Sequence, residues 1–381
     1  MRSYLGLLFG AAFSTWLLTP AVMALGRRVR AYGQARDQGG FILIPRLGGI
    51  AIFLAVLASA SALLIMPNSL RAILQADWRA GVKLLIPASM ALLIGLYDDL
   101  KGATPRQKLA VEIGAAAAAW CLGFRMAVVP ILGFPIHARA VAFCLTVLWI
   151  VAVTNSLNLI DGLDGLAAGI AFLATLALFI VSLMQGDHLA CIFTITLAGA
   201  LLGFLRFNSP PARIFLGDTG SLFLGCVLAT LALGAAGKGT TPITLTVPYV
   251  ALLLPLLDTT LSVVRRLLKG KPIFARDCDH IHHRLVARKR RYRPAILTLY
   301  AVAAASSLGS LFILHWTGSL LLLGALLGGL VTWLVFNQLH YEELDELVVQ
   351  ISRRIRSGRR AFANPIVIRP ADVSSQPGGT K

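Results

Sequence analysis

Five aspartates of this mostly apolar chain lie where apolar runs begin or end. Asp98 and Asp99 close one run. Asp161 and Asp164 follow another, and Asp218 opens a third. Carboxylates are costly beside the hydrocarbon of a bilayer and usually serve a function there. Mg²⁺ takes oxygen ligands, commonly one or two carboxylates together with phosphate oxygens of a substrate. We therefore expect a metal and phosphate site where these carboxylates meet.

The adjacent pair Asp98-Asp99 needs a nearby positive charge. Two neighbouring carboxylates repel each other, which raises the pKa of one of them unless a cation neutralises the pair. A divalent metal, Lys101 or Lys108 would supply that charge. Taken alone, the pair has a simpler alternative interpretation, which is a polar helix end without further function.

Four polar residues recur at every third position, namely Asn155, Asn158, Asp161 and Asp164. Residues three apart on a helix share a face, so this spacing predicts a polar stripe at the end of an apolar span. A helix cap needs one such residue and not four. The stripe therefore indicates a binding surface, with capping as the alternative.

The segment 206–221 combines polar and aromatic residues with an acid at the start of an apolar run. Asn208 comes first, and Asp218 lies within Gly-Asp-Thr-Gly-Ser. Phe215 is a candidate for stacking on a base, with a place in the core as the alternative. Helix N-termini bind anions through their free N–H groups. Asp218 at such a terminus would instead hold a metal that bridges phosphates.

Three histidines and an arginine cluster in the basic segment 265–294. They are His280, His282, His283 and Arg284, and they suit a clamp for a pyrophosphate group. Zinc binding is the competing interpretation. No Cys-x-x-Cys accompanies the histidines in the sequence and their spacing is not that of a zincin helix, so zinc is disfavoured.

Apolar segments must position these residues. Of the 381 residues, 57% are hydrophobic and 14% are charged, and the mean hydropathy is +0.77. These values are typical of a polytopic membrane protein. A membrane helix needs roughly 20 apolar residues. The predicted fold class is an all-α transmembrane helical bundle of about eleven spans, at 4–24, 47–66, 82–97, 108–124, 140–159, 165–184, 189–205, 220–236, 243–264, 295–315 and 317–336.

The distribution of positive charge predicts the orientation. Only Arg2 precedes the first span, whereas Arg27, Arg28 and Arg30 follow it. This asymmetry favours an external N-terminus and argues against a cleaved signal peptide. Most other Lys and Arg residues lie in the loops of the same side, and an odd number of spans then places the C-terminus in the cytoplasm. The net charge of +18 does not indicate nucleic acid, because basic residues flank the spans instead of clustering on a soluble domain.

The cysteines show neither disulfide spacing nor metal-site spacing. Four of them, Cys121, Cys144, Cys191 and Cys226, lie within apolar runs, and Cys278 lies in the basic segment. Free cysteines in apolar runs behave as small hydrophobic residues. We therefore expect these four to be core residues.

The region 337–381 lies outside the predicted transmembrane domain, which spans residues 1–336. Its apolar residues have helical spacing and predict a cytoplasmic amphipathic helix on a membrane surface or a partner. A solvated extension without a role is the alternative. From Pro370 onward the composition is that of a disordered tail.

Together and in this order, the four polar segments resemble the polyprenyl-phosphate N-acetylhexosamine-1-phosphate transferase family, glycosyltransferase family 4. Over residues 1–336 the chain is most similar to the undecaprenyl-phosphate N-acetylglucosamine-1-phosphate transferase branch, and the segment Ile44–Gly49 also resembles the family. The resemblance implies that N-acetylglucosamine 1-phosphate passes from UDP-N-acetylglucosamine to undecaprenyl phosphate. UMP leaves, and a lipid-linked cell-envelope polysaccharide is started. It also implies a Mg²⁺ cofactor, with Mn²⁺ as the alternative.

The resemblance also implies roles for individual residues. Asp218 and Asn158 correspond to the metal site. The acids at catalytic positions are Asp98, Asp99, Asp161 and Asp164, of which the first two act as base toward the lipid phosphate or support the metal. The positions that bind substrate are Lys101, Lys108, Asn155, Asn208, Phe215, His280, His282, His283 and Arg284.

The resemblance also implies the partners of the protein. They would be a UDP-sugar, a polyprenyl phosphate and the lipid bilayer. Nucleic acid would not be a partner, and a homo-oligomer is left open. The enzyme would lie in the bacterial cytoplasmic membrane with its site facing the cytoplasm. The histidine segment departs from the peptidoglycan translocase branch, which disfavours a muramyl donor. Another UDP-N-acetylhexosamine donor is one alternative, and a transporter or flippase of lipid-linked or nucleotide sugars is the alternative from another class.

Overall fold

The computed structural model describes residues 2–37, 40–65, 68–127, 136–238, 251–268, 270, 285 and 292–315. The chain divides into two units, Met1–Val335 and Phe336–Lys381, and every described element belongs to the first. The predicted domain limits and the predicted tail helix lie outside the described residues. The described elements are α1 (Arg2–Arg28), β1 (Tyr32–Asp37), β2 (Gly40–Pro45), α2 (Gly48–Ile65), α3 (Ser69–Ala76), α4 (Trp78–Lys101), α5 (Pro105–Cys121), α6 (Arg139–Ile160), α7 (Leu166–Met184), α8 (His188–Asn208), α9 (Gly217–Lys238), α10 (Leu253–Leu268) and α11 (Tyr292–His315).

Seven of the described helices are long and apolar enough to cross a membrane: α1, α2, α4, α6, α7, α8 and α9. They coincide with seven of the predicted spans and make the chain a polytopic helical membrane protein. Of the other four predicted spans, 108–124 corresponds to the 17-residue helix α5, and 243–264 and 295–315 overlap α10 and α11. The last predicted span, 317–336, lies outside the described residues. The total of eleven therefore stays a prediction.

The all-α prediction was wrong for the segment between α1 and α2, which forms a hairpin. Strands β1 and β2 pair antiparallel, from Tyr32 opposite Pro45 to Asp37 opposite Gly40. Six-residue strands give little periodic signal, so the sequence does not distinguish this segment from a loop between two spans. The hairpin is tied to the start of α9, because the N–H of Phe215 donates to the carbonyl of Pro45 at 2.8 Å.

Local sequence signals set the ends of the helices that approach the site. Gly102 follows the last residue of α4 with a φ of 79°, in the left-handed region that glycine tolerates. Thr104 and Gln107 then form a capping box that starts α5, with Pro105 in its first turn. The short connection between α4 and α5 places Lys108 one turn into α5, beside the end of α4.

Helix α9 lies at the centre of the described bundle. It packs against α4, α6, α2 and α7, and it is the most buried of the seven spans. Glycines permit the closest approaches. A Cβ on Gly95 of α4 would lie 2.3 Å from the carbonyl oxygen of Asp218, and one on Gly49 of α2 would lie 2.3 Å from the amide nitrogen of Gly220. The first turn of α9 is therefore held between α4 and α2.

The outer surface of the bundle is apolar, as a membrane-embedded surface must be. Helix α1 exposes large side chains such as Phe9, Phe13 and Leu17. The core prediction for the cysteines is confirmed for Cys191 and Cys226, which are buried, and Cys278 lies outside the described residues. The prediction was wrong for Cys121 and Cys144, which are exposed, because an apolar residue on a membrane-protein helix can face lipid as readily as the core.

Candidate active site

Three carboxylates meet where α4 ends and α9 begins. Asp98, Asp99 and Asp218 each offer an oxygen atom, and these atoms all lie within 4.8 Å of one another. The first two residues occupy the last turn of α4, and the third occupies the first turn of α9. Three converging carboxylate oxygens suit a hard divalent cation. Residues that are more than 100 positions apart in the sequence are thus joined in one acidic cluster.

Asp99 is held by the N-terminus of α9. Its side chain is fully buried, and its oxygens accept hydrogen bonds from the backbone N–H of Asp218 at 3.2 Å and of Thr219 at 2.9 Å. The Thr219 hydroxyl donates a third bond at 2.7 Å. Gly217 has a φ of 73°, and a Cβ at this position would lie 2.4 Å from Asp99 Oδ2. Asp99 therefore caps α9 from the neighbouring helix.

Two cationic side chains neutralise the cluster. Lys108 Nζ lies 2.9 Å from Asp98 Oδ2 and 2.5 Å from Asp218 Oδ2. Arg46 approaches from the end of the hairpin, with Nε 3.3 Å from Asp99 Oδ1 and Nη2 3.7 Å from Asp218 Oδ1. Three acids and two bases in partly buried positions form a network in which each carboxylate has a positive neighbour.

The polar stripe on α6 divides into two parts. Asn158 belongs to the cluster, since its Nδ2 donates to Asp218 Oδ2 at 3.2 Å. Asn155, one turn earlier, donates instead to Glu112 of α5 and to the carbonyl of Val151. The two asparagines share a helix face as predicted, but only Asn158, which is nearer the helix end, bonds to the cluster.

Asp161 lies beside the cluster in the turn after α6. Although part of the residue is exposed, burial of its carboxyl group, followed by the negative charges of Asp218 and Asp99, raises its pKa well above the usual range. These surroundings disfavour the ionised form of the carboxyl group unless another cation binds nearby. Asp161 therefore adds to the demand for positive charge at this site.

Asp164 fixes a loop. Its Oδ2 accepts a hydrogen bond from the N–H of Ala212 at 2.9 Å, which joins the turn after α6 to the connection between α8 and α9. Burial raises its pKa, and the bond from Ala212 acts in the opposite direction. Nearby, the hydroxyl of Tyr300 on α11 donates to the carbonyl of Gly165 at 2.6 Å. The described contact of Asp164 thus holds the backbone between α8 and α9 next to the turn after α6.

Asn208 and Phe215 flank the approach to α9. Asn208 is buried, and its Nδ2 donates to the carbonyl of Ile214 at 2.9 Å. Phe215 is half-buried and packs on Gly33 of the hairpin, where an added Cβ would lie 2.7 Å from its ring. Both residues therefore shape the connection before Asp218.

The remaining predicted residues lie elsewhere or outside the described residues. Lys101 is exposed, with its Nζ 6.0 Å from the centre of the Tyr97 ring. It therefore does not join the ion pairs of the cluster, and Lys108 alone of the two predicted lysines does so. The predicted clamp lies outside the described residues; it comprises His280, His282, His283 and Arg284.

Sequence reasoning missed three residues of this region. Arg46 and Thr219 hold Asp99, and Glu112 holds Asn155. A signal existed for Glu112, because an acid inside the predicted span 108–124 is itself unusual. Nothing in local spacing indicates that Arg46 and Thr219 meet Asp99, since both contacts depend on how the hairpin and α9 pack against α4.

The arrangement can bind a divalent cation and a polyanion. The carboxylates would hold the cation, while Arg46 offers positive charge to phosphate oxygens. Such a site suits phosphoryl transfer, where alignment and charge neutralisation matter more than covalent catalysis by the protein.

Comparison with known proteins identifies the family. Residues 82–236 match the family model described as glycosyl transferase family 4. The chain is 33% identical, over 77% of its length and 80% of the relative's, to a probable undecaprenyl-phosphate N-acetylglucosaminyl 1-phosphate transferase of Bacillus subtilis. It is 31% identical to a decaprenyl-phosphate N-acetylglucosaminephosphotransferase of Mycobacterium leprae, over 84% and 87% of the two chains. It is 34% identical to a phospho-N-acetylmuramoyl-pentapeptide-transferase of Moorella thermoacetica, over 80% and 96%. The chain, with its acidic cluster inside the matched region, therefore belongs to glycosyl transferase family 4, the polyprenyl-phosphate N-acetylhexosamine-1-phosphate transferases.

Proposed function

We propose that this protein transfers N-acetylglucosamine 1-phosphate from UDP-N-acetylglucosamine to undecaprenyl phosphate. The observation that carries the proposal is the cluster of Asp98, Asp99 and Asp218, with Lys108 and Arg46 beside it. An oxygen of the lipid phosphate attacks the phosphorus that bears the sugar. The bond from that phosphorus to the bridging oxygen breaks, and UMP leaves with the bridging oxygen.

The residues of the cluster fit a magnesium ion, with manganese as the alternative. Asp98 and Asp218 would hold it, since an oxygen of each points to the position of the Lys108 ammonium. Lys108 Nζ lies 2.9 Å from Asp98 Oδ2 and 2.5 Å from Asp218 Oδ2. When bound, the ion would neutralise the diphosphate and the charge that develops on departing UMP. Asp99 has its oxygens engaged by α9 and Arg46, so we assign it to positioning Asp218.

The cationic side chains and Asn158 complete the proposed site. Arg46 would orient the diphosphate and the lipid phosphate in line, whereas Lys108 neutralises the acids before the cation binds. A phosphomonoester has a second pKa near 6, so the lipid phosphate is largely dianionic at neutral pH and needs little help from a general base. We therefore assign Asp98 to holding the ion and not to proton abstraction.

We place the site at the cytoplasmic surface of the cytoplasmic membrane. Span α4 ends at the site and span α9 begins there. A phosphate at headgroup level and a soluble nucleotide sugar can meet at this depth. Arg27 and Arg28 close α1 near the hairpin that carries Arg46, in agreement with a cytoplasmic position for these loops. Eleven spans, an external N-terminus and a cytoplasmic C-terminus belong to this proposal.

The donor and acceptor are proposed from the relatives. Two of those compared are named for N-acetylglucosamine transfer, with undecaprenyl phosphate in one and decaprenyl phosphate in the other. A third is named for a muramoyl pentapeptide donor. We favour UDP-N-acetylglucosamine because the sequence of the histidine segment disfavours the peptide-bearing donor. Another UDP-N-acetylhexosamine is the second candidate.

Release of UMP tests the proposal. Purified protein would receive UDP-N-acetylglucosamine, undecaprenyl phosphate and Mg²⁺, and we expect UMP that depends on the lipid and disappears with a chelator. Asp218→Asn should lower the rate by about 10²-fold or more. Asp77→Asn is the matched control, because Asp77 is exposed at the other end of α4, about 30 Å away.

Other outcomes would redirect the assignment. UMP with a different UDP-N-acetylhexosamine only would change the donor. Absence of UMP with every donor, from protein that is folded, would reject the enzyme and favour a transporter or flippase. An Asp218→Asn variant as active as the wild type would reject the proposed site.

A further inference from the structure

Lys108 occupies the oxygens that a divalent cation needs. Its Nζ lies 2.5 Å from Asp218 Oδ2 and 2.9 Å from Asp98 Oδ2. The other oxygens of these acids are engaged, since Asp98 Oδ1 accepts from the N–H of Ala103 at 2.7 Å and Asp218 Oδ1 faces Arg46. An ammonium and a divalent cation repel each other strongly at contact distance in a partly buried site. Lys108 must therefore leave this point when the cation arrives.

Glu112 is placed to receive the displaced ammonium. It lies four residues after Lys108 on α5, so the two side chains share a helix face. Glu112 is only 2% exposed. One of its oxygens accepts from Asn155, whereas Oε1 is buried and has no hydrogen bond among the residues that the structure describes. A buried carboxylate with an open oxygen lacks the compensation that such groups normally have.

We infer that Lys108 exchanges between two sets of acids. Without a divalent cation, its ammonium bridges Asp98 and Asp218. With the cation bound, it turns along α5 and pairs with Oε1 of Glu112. This inference rests on the proposed metal site. Without the cation the ammonium neutralises the cluster, and Glu112 keeps only its bond from Asn155. With the cation bound, the cation would neutralise the cluster and the ammonium would neutralise Glu112.

The exchange would give Glu112 and Lys108 opposite effects on the affinity for the metal. Lys108 competes with the cation, and Glu112 lowers the cost of displacing that competitor. Arg46 faces the cluster from the hairpin and stays with Asp99 and Asp218, so it does not substitute for the exchange. Asn155 keeps the other oxygen of Glu112 occupied, which leaves Oε1 as the acceptor for the lysine.

Binding of Mn²⁺ alone to the purified full-length protein tests the exchange. Free Mn²⁺ is measured by electron paramagnetic resonance for wild type, Lys108→Gln, Glu112→Gln and the double variant. We expect Lys108→Gln to bind Mn²⁺ about tenfold more tightly, and Glu112→Gln to bind it about fivefold more weakly. In the double variant the effect of Glu112→Gln should vanish to within about twofold, because Glu112 acts through the lysine.

The double variant separates exchange from simple charge effects. Removing a positive or a negative charge near a metal changes its affinity in the same directions, but such effects add in free energy. Additive changes would therefore overturn the exchange, as would a Lys108→Gln variant that binds no more tightly than wild type. Absence of Mn²⁺ binding in all four proteins would also overturn it, whereas UMP release tests the proposed function separately.

Two controls protect the comparison. Lys101→Gln makes the same change in net charge at an exposed position outside the cluster, and it should alter Mn²⁺ affinity by less than about twofold. Thermal unfolding without metal should show that each glutamine variant folds, since glutamine matches glutamate in shape and is smaller than lysine. A shift in Lys101→Gln as large as that in Lys108→Gln would assign the effect to net charge and overturn the exchange.

Discussion

Asp98 and Asp99 are adjacent in the sequence and have different surroundings in the structure. Successive residues on a helix point about 100° apart. Asp98 therefore faces Lys108 and the N–H of Ala103, on the side of α5. Asp99 faces α9 and is closed off from solvent by Thr219 and Arg46. The pair combines one accessible acid with one that holds a helix end.

Thr219→Val should weaken the support of Asp99. The valine removes the hydroxyl that donates to Asp99 Oδ2 at 2.7 Å and leaves a buried charge with one donor fewer. We expect the free energy of unfolding to fall by about 1.5–3 kcal/mol. Faster hydrogen exchange at the N–H groups of Asp218 and Thr219, followed by mass spectrometry, would report the loosened helix end. Thr219→Ser keeps the hydroxyl and is the control. Equal exchange in both variants would contradict the capping role.

Asp161 should make the metal-free protein less stable as pH rises. Its folded-state pKa is raised, so between the unfolded and folded values the folded protein binds more protons. Stability is then highest below the unfolded pKa, near 3.9, and falls as pH rises through the raised folded value. Asp161→Asn should flatten this fall in chelator-treated protein, measured by thermal unfolding across pH. The exposed Asp77→Asn serves as control, and parallel pH profiles of wild type and Asp161→Asn would refute the assignment.

The geometry of the site depends on how closely α4 and α9 approach each other. Gly95→Ala would place a Cβ 2.3 Å from the carbonyl oxygen of Asp218, so one helix must shift. We expect a loss of about 1–3 kcal/mol in stability and a lower rate of UMP release, because Asp218 moves with the helix. Both quantities can be measured on the purified protein.

Gly114→Ala is the matched control for this prediction. It lies within α5, where its added Cβ would meet only the Met90 side chain at an ordinary 3.5 Å. Alanine favours a helix over glycine by about 1 kcal/mol, so this variant should be as stable as the wild type or more so. If Gly95→Ala behaved in the same way, close packing of α4 on α9 would not be what positions Asp218.

The orientation of the protein in the membrane can be measured directly. In a variant without native cysteines, Arg106→Cys places a thiol at the start of α5 near the site, and Asp77→Cys places one at the opposite end of α4. Both positions are exposed. We expect a membrane-impermeant thiol reagent to label position 77 in intact cells and position 106 only after the membrane is opened. The reverse pattern would place the site on the external face.

Local sequence signals were enough to predict the membrane class, the positions of seven spans and the three acids that meet in the cluster. Hydrophobic length and periodicity are local properties, so helix bodies such as α7 and α8 could be located without knowing their neighbours. The same holds for Asp98, Asp99 and Asp218, which stand out because charged groups are rare at these helix ends. The short hairpin was not predicted because its strands carry almost no periodic signal.

The partner of each polar residue follows from the packing of the helices and not from its place in the sequence. Lys108 and Asp218 are 110 residues apart, and their ion pair exists because α4, α5 and α9 pack together. Spacing put Asn155 and Asn158 on one face, but the depth of each along α6 decided that one meets Glu112 and the other Asp218. Side-chain contacts between helices depend on distances and rotations of a few ångströms and tens of degrees, and these follow from the packing of the whole bundle.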